Sequence, residues 1–239
     1  MFLKIADFCF DVTIPQKFMC DIYNNYICDE TDIIDSHIEI EKEDCSAEYN
    51  FSNKYGGATD SKTELCSLAV CRKICAFGLT KDAFLMHGAL VEYEGKGYLF
   101  TANSGVGKTT HVKLWQEVFG DSVNIVNGDK PILRFIDGAV YGYGTPWCGK
   151  EGYNINTSVK LCGICFIERA DENSITELDA DSALLRVLSQ VMIADSADLG
   201  KQLELVDRLL NTVPTYLLKC NMNPEAANVA YNGMKKAVQ

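Results

Sequence analysis

Two periodicities alternate along the chain and predict a protein that mixes strands and helices. Near the amino terminus, FLKIADFCFDVTI and IIDSHIEIE alternate apolar and polar positions, which is typical of half-buried strands. We therefore expect residues 1–60 to form short strands. From Thr63 to Phe77 apolar residues recur every three or four positions, which predicts a helix. The turn-rich stretch NKYGGATDSKTE joins the two patterns.

The rest of the chain continues with hairpins and helices. Two pairs of apolar runs flank Glu94–Gly97 and Asp137–Gly138, and each pair predicts a hairpin. Helices are predicted from the KTTHVKLWQEVFG stretch, at about 179–194 and 196–211, and from Pro224, with the strand TYLLKC before the last one. The pattern predicts an α/β (α+β mixed) fold. We divide it into a main domain at 81–239 and a strand-rich segment at 1–80, with one helix, packed on that domain.

Composition and charge narrow the class of protein. The 239 residues, 47% hydrophobic and 23% charged, suit one globular domain with a small appendage. Nine acidic residues and a single lysine fall between Asp29 and Glu48, which indicates a solvated acidic face or a docking surface for a basic partner. We expect no nucleic acid partner, because no basic stripe is present. We expect no membrane span, because no apolar run approaches about 18 residues.

The cysteines indicate packing rather than cross-linking. The chain has eleven, an odd number, and the opening MFLKIADFCF lacks the pattern of a signal peptide. We therefore expect a cytoplasmic protein with reduced thiols. Cys162 and Cys165, and likewise Cys71 and Cys75, lie in apolar runs without a second pair of ligands at zinc-site spacing, so we assign them to the core.

The strongest chemical signal is FTANSGVGKTTHVKLW, from Phe100 to Trp115. It fits the phosphate-binding motif G-x-x-x-x-G-K-[ST], in which backbone N–H groups and a helix N-terminus cradle phosphates, except that Ala102 replaces the first glycine. Alanine is tolerated there unless the backbone needs a positive φ. The motif predicts binding of a nucleoside triphosphate, and we expect ATP or a related nucleotide as the cofactor. The predicted nucleotide-binding residues are Asn103, Ser104, Gly105, Val106, Gly107, Lys108, Thr109 and Thr110.

A magnesium site is predicted beside this loop. In the motif the lysine reaches the outer phosphates, and the following hydroxyl, here Thr109, binds Mg²⁺. Asp129 follows an apolar strand about 20 residues after Lys108. Such a carboxylate can hold the same ion, so we assign Thr109 and Asp129 as metal ligands. The alternative is that Asp129 starts the turn before Pro131.

Three stretches together resemble a known family: MHGALVEYEGKGYLFTANSGVGKTTHVKLW, NIVNGDKPILRFIDGAVYGYGTPWCGKEG and CFIERADENSI. They are similar to the HPr kinase/phosphorylase-like branch of P-loop proteins, whose fold is related to that of phosphoenolpyruvate carboxykinase. The resemblance covers about residues 80–235. It implies a P-loop sheet-and-helix core like that of the HPr kinase carboxyl-terminal domain. It also places His87 near the reacting groups and the loop Gly144–Lys150 against the substrate.

The resemblance further implies ATP-dependent phosphorylation of a hydroxyl on a peptide, a protein or a small molecule. Asp129, His87 and Lys108 are its catalytic candidates. One departure is clear: HPr kinases carry two adjacent aspartates, and here the pair is Gly128-Asp129. Glycine cannot take a proton, so Asp129 does both jobs, or Glu151 or His87 acts as the base.

Two function classes remain open at this level. One is the kinase, with Lys150, Arg134 and Arg169 as contacts for anionic groups or as ordinary surface charges. The other is a non-catalytic nucleotide-binding or regulatory module, which the glycine at position 128 favours. The sequence does not name the acceptor, and it leaves the oligomeric state open, a homo-oligomer included.

Overall fold

The computed structural model describes residues 1–15, 21–29, 33–55, 59, 61–103, 105–192 and 199–235. The strands within these ranges are β1 (Phe2–Ile5), β2 (Phe8–Thr13), β3 (Ser36–Glu39), β4 (Ala83–Leu85), β5 (Ala89–Tyr93), β6 (Lys96–Thr101), β7 (Val123–Asn127), β8 (Ile132–Ile136), β9 (Ala139–Tyr143), β10 (Ser158–Arg169), β11 (Ser174–Leu178) and β12 (Thr215–Cys220). The helices are α1 (Lys42–Tyr55), α2 (Lys62–Leu79), α3 (Lys108–Phe119), α4 (Ala180–Leu188), α5 (Leu199–Thr212) and α6 (Glu225–Lys235). The predicted mixed α/β class is confirmed.

The amino-terminal strands form a small separate sheet, in which β2 pairs antiparallel with β1 and parallel with β3. The large sheet has the order β4-β8-β9-β10-β6-β5-β7. Strand β12 also pairs with β10, along residues Ile164–Arg169, and β11 pairs with β12. Both predicted hairpins, β5–β6 and β8–β9, are present. Glu94–Gly95 and Asp137–Gly138 all have positive φ, as a tight turn between twisted strands requires.

Strand direction brings the loops of interest to one edge of the large sheet. β6 runs parallel to β10, and β10 runs parallel to β12. β5 is antiparallel to both β6 and β7, so β7 runs in the same direction as β6. The carboxyl ends of β6, β7, β10 and β12 therefore meet at the same edge. Helices α3 and α6 cover one face of this sheet, and α5 with the end of α4 covers the other.

The small sheet packs on the rest of the chain through a shared hydrophobic cluster. Phe10 and Ile38 from the small sheet join Ile74 from α2 and Leu85 and Trp147 from the region of the large sheet. Arg134, a sequence candidate for binding an anionic group, serves this junction instead. Its guanidinium donates to the Ala6 carbonyl at 2.8 Å and lies 4.0 Å from the centre of the Phe8 ring. Arg134 is thus engaged at the junction between the small sheet and the rest of the chain.

The prediction of strands throughout residues 1–60 is wrong for α1. The alternation in IEIEKED ends with β3, and a helix begins at Lys42, where the Asp44 carboxylate accepts the Glu41 N–H at 2.9 Å. The residues 1–80 thus contain two α-helices rather than one. Few apolar residues lie along α1, so its helical period is weak in the sequence. An ion pair decides its position instead, because the buried Glu48 bonds Arg72 of α2 through both carboxylate oxygens.

Two residues of the acidic stretch form ion pairs with side chains of α2. Glu48 pairs with Arg72, and Asp44 pairs with Lys73 at 2.7 Å. Other predictions about packing hold: Cys71, Cys75 and Cys165 are buried and Cys162 is half-buried. Within the described ranges, no helix combines the length and the apolar character that a membrane span requires.

Candidate functional site

The loop between β6 and α3 has the backbone of an anion-binding loop. Gly105 has a φ of +79° and Gly107 a φ of +132°, and a Cβ at either position would meet open space. The backbone conformation, rather than crowding, therefore requires glycine here. Gly107 is the N-cap of α3 and makes no side-chain capping bond. The N–H groups of the first turn consequently remain available to an anion.

Lys108 is the buried cation of this loop. Its side chain is 8% exposed, and its Nζ donates to the Ala102 carbonyl at 3.0 Å. Burial lowers the pKa of the Lys108 amine, and the charge of Asp129 opposes that effect. Ala102 is not among the residues with positive φ, so alanine fits where the motif usually has glycine. Of the other predicted loop residues, Ser104 lies outside the described residues, Thr109 is half-buried, and Asn103 and Thr110 are exposed.

Asp129 lies in the turn after β7, where its two carboxylate oxygens contact the nitrogens of two side chains. Its Oδ1 is 3.1 Å from His87 Nε2, and its Oδ2 is 2.6 Å from Lys130 Nζ. Burial by itself would raise the pKa of the Asp129 carboxyl. The hydrogen bond from His87 and the charge of Lys130 outweigh burial and hold that pKa well below its usual range. Asp129 is therefore an ionised carboxylate and a weak base.

A buried asparagine fixes the turn that presents this carboxylate. The side-chain oxygen of Asn127 accepts the backbone N–H groups of Asp129 at 2.9 Å and of Lys130 at 2.7 Å. Its amide group donates to the Thr145 carbonyl at 3.0 Å. This is the side-chain-to-backbone turn that asparagine favours, here enclosed at 0% exposure. The alternative that Asp129 starts a turn is partly right, since the carboxylate and the turn are one feature.

A chain of polar contacts joins this carboxylate to the phosphate loop. His87 Nδ1 is 3.1 Å from Gln190 Oε1, and Gln190 Nε2 donates to Asn103 Oδ1 at 3.4 Å. The Thr101 hydroxyl, at the end of β6, donates to the His87 carbonyl at 2.7 Å. Both ring nitrogens of His87 thus face oxygen acceptors. These two contacts hold the His87 ring in place between Asp129 and Gln190.

The loop Gly144–Lys150 passes against the Asp129 turn. Trp147 anchors it by donating to the Ser67 hydroxyl at 3.0 Å. A Cβ built on Gly149 would lie 3.3 Å from the Asp129 Cβ, and one built on Gly128 would lie only 2.7 Å from the Cys148 carbonyl oxygen. Gly128 is therefore glycine because the backbone of this loop occupies the space of a side chain. An aspartate pair like that of HPr kinases has no room in this arrangement.

We expect Gly128→Ala to lower the free energy of unfolding by about 1–3 kcal/mol, the usual cost of forcing extra atoms into a packed site. The close contact is with the backbone carbonyl of Cys148, which cannot rotate away as a side chain can. Denaturant unfolding of the variant and the wild type measures the difference. Gly200→Ala in α5 is the matched control, because a Cβ there meets nothing within 4 Å and alanine favours the helix. Equal stability of Gly128→Ala and the wild type would contradict the packing account.

Arg169 closes the other side of the phosphate loop. Its Nε donates to the Val106 carbonyl at 2.9 Å, and its second guanidinium nitrogen donates to the Gly105 carbonyl at 2.5 Å. These bonds turn two loop carbonyls toward Arg169. A cavity of about 700 Å³ lies between the loop and α4, and a smaller one of about 330 Å³ lies beside the first turn of α3. Arg169 lines both.

The structure thus brings together His87, Lys108 and Asp129, and it places Arg169 on the loop. Lys150 and Glu151 are exposed on the loop that passes Asp129. Two residues of this network were not assigned from the sequence. Lys130 directly follows Asp129 in the sequence, so its contact with that carboxylate could have been predicted. Gln190 lies 103 positions from His87, and no local pattern in the sequence indicates their contact. Among the described residues, no group of three or more His, Cys, Asp and Glu side chains forms a metal cluster.

Comparison with protein families gives a match over most of the chain. The family model described as SynChlorMet cassette protein ScmC matches residues 57–225, a range that contains every strand of the large sheet and the phosphate loop. No curated protein sequence matches. Among solved structures, the HPr(Ser) kinase/phosphatase from Coxiella burnetii is similar with a TM-score of 0.39 and 11% sequence identity, over 64% of this chain and 91% of that chain.

Proposed function

The chain belongs to the ScmC family of SynChlorMet cassette proteins, and from the geometry of its site we propose that it is an ATP- and Mg²⁺-dependent phosphotransferase. The acceptor is a hydroxyl group of a peptide, a protein or a small molecule. The family description names a cassette and no reaction, so the support for this proposal comes from the site itself.

The observation that carries the proposal is the buried Lys108 ammonium beside a loop whose backbone requires glycine at positions 105 and 107. Its hydrogen bond goes to a neutral carbonyl, and burial disfavours its charge. A polyphosphate bound by the loop N–H groups supplies the negative charge that this ammonium lacks. The ionised Asp129 lies near enough for its charge to act on Lys108. A phosphate-binding cation and a fixed carboxylate at one sheet edge are the parts that phosphoryl transfer requires.

The donor set fits a magnesium ion. Thr109 offers a hydroxyl and Asp129 a carboxylate, both hard oxygen ligands, and Mg²⁺ takes its other ligands from phosphates and water. A carboxylate has about four lone-pair positions, and His87 and Lys130 use two of them. When bound, the ion supplies positive charge to the phosphate oxygens. We assign Thr109 and Asp129 as the residues that hold it.

The acceptor hydroxyl is oriented rather than strongly deprotonated in this proposal. The depressed pKa of Asp129 makes it a weak base, and both nitrogens of His87 already face oxygens. Phosphoryl transfer relies mainly on positioning and on charge neutralisation, so a weak base at the acceptor is compatible with catalysis. The candidate acceptor site is the cavity of about 700 Å³. Its lining includes Asn103 and Gln190, which belong to the chain of polar contacts between Asp129 and the phosphate loop. His87 and Gln190 are positioning residues here.

The experiment that tests this proposal measures both the binding of ATP and the transfer of its γ-phosphoryl group to an acceptor. Calorimetry with ATP and Mg²⁺ measures affinity, and transfer from γ-³²P-labelled ATP is followed against a panel of serine, threonine and tyrosine peptides and polyols. Acceptor-dependent transfer supports the kinase. Tight ATP binding without transfer to any acceptor supports the second candidate, a nucleotide-binding regulatory module, which the lack of room for a second aspartate at Gly128 favours. Absence of ATP binding would contradict both.

A further inference from the structure

The smaller cavity beside the phosphate loop has features that the transfer of a phosphoryl group does not use. It lies at the ends of β10 and β12, and Asp129 at the end of β7 lies on the opposite side of β6. Its volume of about 330 Å³ is at the low end of ligand pockets, which run from about 300 to 1,000 Å³. Gly107 and Thr110 of the phosphate loop and its helix form one part of its wall. A ligand in it would therefore adjoin phosphates on the loop.

His111 lines this cavity and carries an unmatched hydrogen-bond donor. The imidazole is 2% exposed, and its Nε2 accepts the indole N–H of Trp115 at 3.1 Å. Because an indole nitrogen only donates, Nε2 has no proton and the proton of the neutral ring is on Nδ1. Within the part of the chain that the structure describes, Nδ1 has no hydrogen-bond partner. A buried N–H without an acceptor is uncommon in native proteins and calls for a partner.

The ring is kept neutral as well as buried. Burial lowers the pKa of His111 to about 3. Over the pH range from about 4 upward, the ring is therefore a fixed single donor rather than a titrating cation. It stacks edge-on against Phe100 at 4.6 Å, which, with the Trp115 bond, fixes its orientation.

The rest of the lining suits a flat, mostly apolar group with a hydrogen-bond acceptor. Leu114, Ile167 and Met222 contribute apolar surface, and Met222 is 78% exposed at the rim, where a thioether can contact an aromatic face. Asn221 is already engaged, since its amide donates to the Asp171 carbonyl and its oxygen accepts the Asn223 N–H. The lining contains no carboxylate. Adenine presents acceptor nitrogens that suit the Nδ1–H donor of His111.

We propose that this cavity holds the nucleobase of the bound nucleotide and that the Nδ1–H of His111 donates to an acceptor nitrogen of adenine. The inference rests on the proposed nucleotide-binding function and adds base recognition to it. His111 is nearly enclosed in this structure, so base binding includes a rearrangement of side chains at the cavity wall. A base or base analogue that places no acceptor opposite Nδ1 leaves this donor unpaired and binds more weakly.

The test separates the base from the phosphates. His111→Phe keeps a ring of similar size and removes the donor. Calorimetry should give an ATP affinity about tenfold weaker than that of the wild type, the effect of one lost hydrogen bond, with inorganic tripolyphosphate affinity unchanged. Lys113→Ala, an exposed change on the same helix, is the control and should alter neither. An ATP affinity of His111→Phe equal to that of the wild type would overturn the assignment.

A second experiment starts from the wild type, so its main outcome does not depend on the folding of a variant. The wild type is titrated with 1-deaza-, 3-deaza- and 7-deaza-ATP, in each of which one acceptor nitrogen is replaced by carbon. One analogue should bind about tenfold more weakly than ATP, and His111→Phe should show no further loss with that analogue. Equal affinities for ATP, GTP and all three analogues, with tripolyphosphate bound, would overturn base recognition and leave the phosphate site intact. A wild type that binds neither ATP nor tripolyphosphate would instead refute the proposed function.

Discussion

Replacing Lys108 with alanine is expected to weaken ATP binding by about ten- to a hundredfold. The ammonium makes charge-assisted hydrogen bonds to the outer phosphates, and each bond to a charged group contributes about 1.5–3 kcal/mol. The loop N–H groups remain, so binding is weakened rather than abolished. Calorimetric titration with ATP and Mg²⁺ measures the change, and tripolyphosphate should lose affinity by a similar factor because the effect belongs to the phosphates.

The same variant should fold as well as the wild type or better. Burial disfavours the Lys108 charge in the empty site, where its Nζ bonds the neutral Ala102 carbonyl. Sites built for a ligand commonly sacrifice stability in this way. Lys113→Ala, exposed on the same helix, is the matched control and should leave both affinity and stability unchanged. If Lys108→Ala bound ATP as tightly as the wild type, the phosphate assignment of this loop would be lost.

Asp129→Asn is expected to lower phosphotransfer by at least about a hundredfold while changing ATP affinity only a few-fold. The amide keeps the shape of the carboxylate and removes the charge that holds the metal and orients the acceptor hydroxyl, and such groups contribute about 10²–10⁴ in rate. The loop N–H groups and Lys108 do not bond to Asp129 directly, so nucleotide binding persists. The measurement is the rate of acceptor-dependent transfer from labelled ATP, with affinity taken from calorimetry.

Loss of this carboxylate also leaves Lys130 without its counter-ion, so stability must be separated from catalysis. Asp129 and Lys130 form a partly buried pair at 2.6 Å, and the attraction of Asp129 outweighs burial and raises the pKa of the Lys130 amine. Adding Lys130→Met to Asp129→Asn removes the unpaired charge and should restore stability without restoring transfer. Asp121→Asn, an exposed change near the end of α3, controls for the substitution itself. Wild-type transfer by Asp129→Asn would refute both roles, and Glu151 would be the next carboxylate to test.

The depressed pKa of Asp129 also sets the pH dependence of this site. The folded-state pKa lies below the ordinary value of 3.8, so the pairing with His87 and Lys130 contributes stability above pH 4 and loses it only in stronger acid. His111 acts in the same direction, over a higher pH range. Its pKa falls from 6.5 to about 3 on folding, so the unfolded chain binds the extra proton between these values and stability decreases as the pH falls below 6.5.

Features encoded in short stretches were predictable from the sequence. The strand–loop–helix around Lys108, the hairpin turns at Glu94–Gly95 and Asp137–Gly138, and the core cysteines all appear where they were expected. The reason is physical: glycine at a positive φ and an apolar period report on the local backbone and on burial, whatever the rest of the chain does. The tolerance of Ala102 followed from the same local reasoning.

Other features depended on contacts between residues far apart in the chain. Gln190 reaches His87 from the end of α4, and the position of α1 follows from the Glu48–Arg72 pair rather than from its own weak pattern. Gly128 was interpreted as a lost base, but the Cys148 carbonyl occupies the space where a side chain would begin. A single sequence names the residue types, whereas distance, burial and the partner of each charge are set by packing. Those three quantities decide that Asp129 is an ionised weak base and that His111 is a neutral donor without an acceptor.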